Sequence, residues 1–348
     1  MALTFVTSPT SEEWDDRIAA TPAGGNIFQS HELGEVKRMA RWVPRYAEAE
    51  GVAMTIHEKS APGFGKVWYV PKGPCVDAVD QLAPLLPHLR ESARAEGVLF
   101  VRMEPEIVET EDNLAALRGL GLVASTAVQP HTSTVVFPLP EDEDGLLPAY
   151  PSKTRNMVRR AMRDGVTIER APDAPETYET MWELWQDVVR DQGLGVRSKD
   201  YHVNNWRILA RGGHAQVLIA RTADGTPVAS ALVSCIGDHA EYKEGASLRD
   251  RPVPGASQLV QYEGMRWALE RGARTYDLVG VPHSSQLDDT SHPRHGIGKF
   301  KRGFTKEVTD WVGAWDLVLR PRRYAVWQRV GERVVGRIQR REPGDAFW

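Results

Sequence analysis

Three arginines recur every four residues between positions 155 and 163, a spacing that aligns them along one face of a helix. They are Arg155, Arg159 and Arg163, and Lys153 and Arg160 lie beside them. A stripe of guanidinium groups suits the phosphate backbone of a nucleic acid, and salt weakens binding of this kind. A solvated charged face is the competing interpretation, and the sequence leaves both open.

A second basic segment lies near the C-terminus, where residues 320–341 contain eight arginines and one glutamate. Apolar and basic side chains alternate there at helical spacing: Trp327, Val330, Val334 and Ile338 with Arg329, Arg333, Arg337 and Arg341. The pattern predicts a basic amphipathic helix. Such a helix rests on anionic lipid, binds RNA, or packs on the protein with its arginines in water.

Other reactive residue types do not form a known catalytic or metal-binding motif. The 283–295 segment contains histidines and aspartates whose types suit zinc, but their spacing matches no usual ligand pattern, so we predict no metal. It is better interpreted as a loop that covers a substrate. Neither Cys75 nor Cys235 lies in a catalytic motif, and no Gly-x-Ser-x-Gly is present, so a covalent acyl-enzyme is not indicated.

The composition is that of a globular protein. The 348 residues are 41% hydrophobic and 26% charged, with a formal net charge of -4. This length favours two domains, and no apolar run is long enough for a membrane span. The N-terminus lacks a basic region followed by an apolar stretch, so we expect a cytoplasmic protein without a signal peptide.

The elements that must position these residues alternate between strands and helices. Strand and helix patterns run to residue 139, and an acidic segment flanked by prolines, 138–151, separates them from a second series that begins with the basic helix 153–163. A helix over 77–96 and a long loop over 280–298 are also predicted. Two successive units of similar size indicate a duplicated α/β (α+β) fold with mixed sheets.

Six segments, in this order along the chain, resemble the Fem family (FemXAB type) of aminoacyl-tRNA-dependent transferases that build peptidoglycan bridges. They are Asn26-Ile27-Phe28-Gln29-Ser30 with Lys37, Tyr69-Val70-Pro71-Lys72-Gly73-Pro74, Pro151-Ser152-Lys153-Thr154-Arg155-Asn156 with Gly165-Val166, Tyr242 with Gly245-Ala246-Ser247, Trp267-Ala268 with Gly272 and Tyr276-Asp277, and Phe300-Lys301-Arg302-Gly303-Phe304.

The resemblance implies two GNAT-like domains, mixed sheets flanked by helices, with a cleft across the two lobes. The first would comprise 1–147 completed by the returning segment 315–348, and the second 148–314. Some relatives carry a coiled-coil arm in the second domain. No heptad pattern of that length is present here, so a minimal member without the arm is expected.

The resemblance also implies a reaction. Glycine, alanine or serine would pass from aminoacyl-tRNA to an amine of the stem peptide, on UDP-MurNAc-pentapeptide or its lipid-linked form. Ester-to-amide transfer is downhill, so no cofactor is expected. The partners would be the aminoacyl-tRNA and the precursor. A monomer is expected in the cytoplasm, with peripheral contact between 320–341 and the inner face of the membrane.

Three catalytic candidates follow from the resemblance. Lys301 matches the lysine of the family's Phe-Lys pair, which is proposed to stabilise the tetrahedral intermediate. Phe300 beside it either stacks on a ribose or base or belongs to the core. Glu104, at a strand end before Pro105, stands where many relatives carry aspartate, and its carboxylate could accept the proton of the amine.

The remaining candidates concern binding. Lys37 and Arg197 match positions that hold the precursor's phosphates. Tyr201 and Tyr242 match further substrate contacts, with packing as the alternative, and Asp77 is another possible precursor contact. The Arg155, Arg159 and Arg163 stripe is assigned to tRNA.

Two other function classes stay open at this stage. An acetyl-CoA-dependent N-acetyltransferase should carry an Arg/Gln-x-x-Gly-x-Gly/Ala loop, and the nearest stretch, 251–256, has the wrong spacing and two prolines. A non-enzymatic protein that binds tRNA or membranes would explain the basic helices but not the Phe300-Lys301 segment.

Overall fold

The chain folds into two units, seen in a computed structural model that describes residues 2–129, 131–192, 198–248, 250, 253–339 and 347–348. The first unit comprises Met1–Thr132 with Asp310–Trp348, and the second comprises Ser133–Thr309. The C-terminal segment is therefore part of the first unit.

The boundaries lie ahead of the predicted ones at 147/148 and 314/315. The strand Val136–Pro138 already pairs with Thr275–Asp277 of the second unit, which places the crossing before it. The chain returns at Asp310, since the amide of Trp311 donates to the carbonyl of Thr132 at 2.8 Å. Hydrogen bonds, rather than the acidic composition of 138–151, determine where each unit begins.

The first unit contains a sheet with helices packed on it. Up to residue 125 its strands and helices are β1 (Thr4–Val6), α1 (Ser11–Ala19), α2 (His31–Met39), β2 (Val43–Ala49), β3 (Val52–Ala61), β4 (Gly65–Val70), α3 (Val79–Leu82), α4 (Leu85–Ala95), β5 (Val98–Met103), α5 (Glu111–Gly119) and β6 (Val123–Ser125). The predicted helix over 77–96 is wrong as one element, because Pro84 separates α3 from α4.

The second unit contains a six-stranded sheet. Its elements are β7 (Ser133–Thr134), β8 (Val136–Pro138), α6 (Glu143–Ala149), α7 (Ser152–Arg163), β9 (Thr167–Ala171), α8 (Pro175–Gln192), α9 (Lys199–Arg211), β10 (Ala215–Arg221), β11 (Pro227–Ile236), β12 (His239–Ser247), α10 (Ala256–Glu270), β13 (Thr275–Asp277) and α11 (His295–Lys301), with β14 (Thr309–Asp310) at the unit boundary. The predicted 280–298 loop is shorter than expected, because α11 begins within it.

The C-terminal segment completes the first sheet and then forms a helix. Its elements are β15 (Ala314–Val318), α12 (Pro321–Val326), a π-helical turn (Trp327–Gly331) and α13 (Glu332–Gln339). The strand β15 lies between β5 and β6, so the seven strands run β1-β2-β3-β4-β5-β15-β6. Trp327 anchors the helix on an aromatic cluster that includes Phe100 and Phe347.

Each of the two large sheets has one parallel pair among its described strands. In the first sheet it is β4 with β5, and in the second, ordered β8-β13-β12-β11-β10-β9, it is β12 with β13. The neighbouring pairs are antiparallel. The predicted α/β class with mixed sheets flanked by helices is confirmed, and the parallel pairs give each unit a sheet edge where two carboxyl strand ends meet.

The helix α10 packs closely on the second sheet. A Cβ atom at Gly264 would lie 2.7 Å from the Tyr276 hydroxyl and 2.9 Å from a Val233 methyl group. The glycine therefore lets the helix backbone approach the sheet near Tyr276, the residue directly before Asp277.

Candidate functional site

Lys301 is a buried cation at the end of α11, with 7% of its surface exposed. Its Nζ atom donates to the carbonyl of Val279 at 2.5 Å and to that of Gly280 at 3.2 Å. It also lies 5.6 Å from the ring centroid of Tyr242. Because an ammonium group has three N–H donors, one is not accepted by any residue that the structure describes.

The two carbonyls that accept from Lys301 belong to a tight turn after β13. Val279 has a φ of 53°, a left-handed conformation that is costly for a β-branched residue. The Asp277 carboxylate holds this turn, since its Oδ1 accepts from the Val279 amide at 2.6 Å and from the Thr134 hydroxyl. The sequence identified Asp277 only as part of a motif, and the turn was not predicted.

The environment of Lys301 makes its proton easier to lose. Burial lowers the pKa of Lys301 to about 8; the nearby Asp277 carboxylate raises the pKa and Arg294 lowers it further. Most Lys301 side chains are therefore protonated at neutral pH, but a substantial fraction deprotonates on moving to mildly alkaline solution.

Tyr242 lies where the pairing of β12 with β13 ends. Glu241 is the last residue of β12 paired with β13, and a register shift against β11 leaves Lys243 between the paired residues Tyr242 and Glu244. A Cβ atom at Gly245 would lie 2.1 Å from the Tyr242 hydroxyl, so the glycine makes room for the ring. Burial raises the pKa of Tyr242, which keeps the phenol protonated.

Phe300 is half-buried and packs against the core of the second unit. Its ring meets that of Phe304 edge to face at 5.6 Å. These contacts favour the core interpretation over stacking on a ribose or base, and a direct role for Phe300 stays a prediction.

Glu104 follows β5 in the first unit and is also buried. Its carboxylate accepts from the Tyr69 hydroxyl at 2.6 Å and from the backbone amides of Val128 at 2.5 Å and Gln129 at 3.2 Å. Three donors occupy most of the accepting capacity of a carboxylate. The arrangement therefore favours a structural role for Glu104 over that of a general base.

Lys37 approaches this network from α2. Its ammonium group lies 5.6 Å from the ring centroid of Tyr69, the residue that donates to Glu104. A cavity beside Glu104 is also lined by Gln129 and by Lys72, which forms an ion pair with Glu106 at 3.0 Å. The structure thus brings Lys37 and Glu104 together around one tyrosine. The sequence identified Lys72 only as part of a motif and did not identify Glu106.

Two of the family-like segments hold each other in place. The side chain of Gln29 donates to the carbonyl of Pro71 at 2.6 Å and accepts from the Thr55 amide at 2.8 Å. A Cβ atom at Gly73 would lie 2.8 Å from the Gln29 side chain. The buried side chain of Gln29 therefore holds the Pro-Lys-Gly-Pro turn in place. Packing between the two segments is enough to explain why both sets of residues are present.

The other binding candidates are not gathered in one place by the described contacts. Tyr201 lies in the first turn of α9, which begins after the cap residue Ser198, and its ring meets His202 at 5.9 Å. Arg197 lies outside the described residues, so its pairing with Tyr201 on one helix face stays a prediction. Asp77 is exposed in the segment before α3.

The basic stripe of α7 is partly solvated. Thr154, Val158 and Ala161 form the buried face of the helix. Arg159 and Arg163 are exposed and make no hydrogen bond or ion pair with any described residue, whereas Arg155 is half-buried and donates to the carbonyl of Pro148 at 3.3 Å. The anchored helix leaves two of the three predicted phosphate contacts available.

The C-terminal helix packs on the first unit with its arginines exposed, but only part of its apolar row takes part in the packing. Tyr324, Trp327, Gly331 and Val335 are buried, whereas Val330 and Val334 are exposed. The sequence grouped Val330 and Val334 with Trp327 in one apolar row, and the structure separates them, because the ring of Trp327 and the missing side chain of Gly331 set the packing. The side chain of Ile338 and residues 340–341 lie outside the description. Over the described part of the chain, no helix combines the length and apolarity of a membrane span.

Comparisons with known proteins agree with this architecture. The model of the acetyltransferase (GNAT) domain family matches residues 152–291. A lipid II:glycine glycyltransferase of Staphylococcus aureus (strain bovine RF122 / ET3-1) is 23% identical over 408 aligned residues, covering 93% of this chain and 95% of the relative.

Solved structures show the same fold. The crystal structure of FemX has a TM-score of 0.78 at 20% identity, covering 93% of this chain and 99% of FemX. The structure of L-PGS from Bacillus licheniformis has a TM-score of 0.56 at 15% identity, covering 96% and 98%. The predicted resemblance to the Fem family and the GNAT-like fold are confirmed.

Proposed function

We propose that this chain, which has the fold of FemX and a lipid II:glycine glycyltransferase among its relatives, is an aminoacyltransferase acting on a peptidoglycan precursor. It transfers glycine from aminoacyl-tRNA to an amine of the stem peptide of the lipid-linked precursor. The similarity to lipid II:glycine glycyltransferases supports glycine and the lipid-linked acceptor over the alternatives that the sequence left open. Dependence on tRNA rests on the family resemblance and on the basic face of α7.

The geometry of Lys301 is the observation that supports this function most strongly. In the reaction, the amine nitrogen attacks the ester carbonyl of the aminoacyl group and a negative charge develops on the carbonyl oxygen. A buried ammonium with one uncommitted N–H can donate to that oxygen, and a charge already held in place needs little reorganisation. The C–N bond then forms fully while the ester C–O bond breaks.

Proton balance requires an acceptor for the amine's proton and a donor for the departing ribose oxygen. Glu104 is an unfavourable acceptor, because its oxygens already bind three donors. Transfer of the proton through solvent or the substrate's own hydroxyl groups meets both needs without a protein base.

Two basic regions support the binding of the substrates. Arg159 and Arg163 on α7 provide exposed guanidinium groups for tRNA phosphates. Lys37 in the first unit, with Arg197, is assigned to the phosphates of the precursor. A lysine beside a buried aromatic ring supplies a positive charge of fixed position.

The test is transfer of radiolabelled glycine from glycyl-tRNA to purified lipid II or to UDP-MurNAc-pentapeptide. We expect label in the lipid II fraction, abolished when the tRNA is digested by RNase beforehand and reduced in Lys301→Ala. Parallel reactions with labelled acetyl-CoA test the acetyltransferase alternative. Transfer from acetyl-CoA alone, or RNase-resistant transfer, would contradict the proposal.

A further inference from the structure

The exposed side of the C-terminal helix carries two neighbouring stripes of different character. Val326, Val330 and Val334 recur every four residues, as do Arg329, Arg333 and Arg337. Residues four apart lie on one side of a helix, so the three valines and the three arginines each form a row along it. We call these six residues the Val–Arg face.

The apolar row is unusual for this molecule. The three valines are 49%, 48% and 44% exposed, and they are three of the nine exposed large hydrophobic side chains among the described residues. Single exposed hydrophobic residues are ordinary, but three in line form a patch. In an α-helix, residues four apart are displaced slightly around the axis, because a turn has fewer than four residues. The π-helical turn at Trp327–Gly331 contains more residues per turn, so it keeps the three valines closer to one line.

The opposite side of the helix is fixed to the first unit. Trp327 packs edge to face against Phe64 at 5.3 Å and against Phe347 at 5.1 Å, and a Cβ atom at Gly331 would lie 2.6 Å from the Trp327 ring. The valines therefore cannot turn inward without breaking this cluster. Their exposure is imposed by the packing of the other face.

The arginines are available as well. Arg329, Arg333 and Arg337 are exposed and make no hydrogen bond or ion pair with any residue in the described part of the chain. Glu332 is the one acidic side chain between 320 and 339. The face thus combines uncompensated positive charge with an apolar strip.

We propose that the Val–Arg face docks on the surface of an anionic lipid bilayer. Valines entering the boundary between headgroups and acyl chains would bury apolar surface, while the arginines beside them would bind lipid phosphates. RNA would use the arginines but gain little from the valine row, and a second copy of the chain would bring arginines against arginines. This inference does not depend on the proposed function, because vesicle binding requires neither tRNA nor precursor.

The test is sedimentation of the full chain with vesicles of phosphatidylcholine alone or with about one third phosphatidylglycerol. We expect binding only to the anionic vesicles, weakened by salt. Replacing Arg329, Arg333 and Arg337 together by glutamine should weaken binding roughly a hundredfold, at roughly fivefold per arginine. Replacing the three valines by asparagine should weaken it roughly tenfold or more.

A matched control removes the same charge elsewhere. Lys153→Gln with Arg159→Gln and Arg163→Gln also removes three positive charges, from α7, and should change vesicle binding less than roughly threefold. Circular dichroism monitors folding in every variant, and Val330→Ser alone replaces the triple valine variant if that one unfolds.

Five results would overturn the inference, and four of them come from binding assays. The first is equal binding to both kinds of vesicle, and the second is unchanged vesicle binding by valine variants that are folded. The third is a loss of vesicle binding in the α7 control as large as that in the arginine variant. The fourth is an arginine variant that loses tRNA binding but keeps vesicle binding. A concentration-dependent dimer that disappears in the valine variants would also overturn it, since the face would then join two copies of the chain.

Discussion

The parallel strand pairs of the two sheets both end beside a buried charged group, but the two groups are satisfied differently. Glu104 after β5 accepts from one hydroxyl and two backbone amides. Lys301, held by the turn after β13, donates to two carbonyls and retains a third N–H donor. At equivalent positions in two similar sheets, Glu104 therefore stabilises the fold of the first unit, whereas Lys301 is proposed to act in catalysis in the second.

The difference shows that burial of a charge does not by itself indicate catalysis. A buried carboxylate whose neighbours satisfy it contributes to folding. The buried ammonium of Lys301 keeps one unused N–H donor, and it binds a turn whose valine is in the left-handed conformation. Neither the unused donor nor the backbone strain is required for folding alone. The predictions below test this contrast.

The largest effect is expected for Lys301→Ala. Removing one donor to a developing oxyanion typically lowers kcat by roughly 10²–10³. The substitution also leaves the carbonyls of Val279 and Gly280 without their side-chain donor, so we expect some loss of thermal stability and the rate is measured well below the melting temperature. Single-turnover transfer with saturating substrates measures the rate, and a folded variant with near-normal kcat would remove Lys301 from the mechanism.

A smaller loss is expected for Asp277→Asn. The amide keeps the size of the side chain but removes the charge that holds the Val279 turn and raises the pKa of Lys301. We expect kcat to fall roughly tenfold and the alkaline titration of the rate to move below pH 8. A lower kcat with an unchanged pH profile would indicate that Asp277 acts on folding alone.

Arg159→Gln with Arg163→Gln should act on tRNA binding rather than on the chemical step. Both side chains are exposed, so stability should be unaffected. We expect the KM for aminoacyl-tRNA to rise several-fold, the salt dependence of binding to become shallower, and kcat to stay roughly constant. Arg170→Gln, at a residue paired with Glu270, is a control in the same unit. An equal rise in KM in the control would indicate a general charge effect.

The smallest effect on rate is expected for Glu104→Gln. A glutamine can keep its oxygen at the amides of Val128 and Gln129 only by turning its NH2 group towards the Tyr69 hydroxyl, which then can no longer donate to this side chain. This should lower the free energy of unfolding by about 1–3 kcal/mol. Turnover at saturating substrate should change less than roughly threefold, because Glu104 is not assigned to the chemistry. Chemical denaturation and steady-state kinetics separate the two effects. A loss of turnover as large as that of Lys301→Ala, in a folded variant, would reverse the contrast.

Sequence patterns predicted much of the fold but only part of the site. Strands such as β5 and helices such as α7 follow from apolar spacing and were predicted nearly to the residue. Lys301 was identified from the Phe-Lys segment, yet its partners are the backbone carbonyls of Val279 and Gly280, which leave no trace in residue type. Glu104 was assigned to chemistry from its position before Pro105, but two of the donors that satisfy its carboxylate are backbone amides, which residue types do not reveal.

The C-terminal helix shows a second limit of sequence reasoning. The sequence grouped Val330 and Val334 with Trp327 in one apolar row, but the structure buries Trp327 and leaves the two valines exposed. The ring of Trp327 and the open space at Gly331 select the buried side, and the π-helical turn changes the spacing there. Periodicity predicts that a helix has two faces, whereas packing determines which face is covered.

The most direct test of the central claim, that protonated Lys301 donates to the oxyanion, is the pH dependence of the single-turnover rate relative to Lys301→Arg. Arginine stays protonated throughout, and the ratio of the two rates cancels the titration of the amine nucleophile. We predict a ratio that is constant at lower pH and falls as pH rises above about 8, where Lys301 loses its proton. A ratio that stays constant through this range, or that rises because neutral lysine is the active form, would contradict the account.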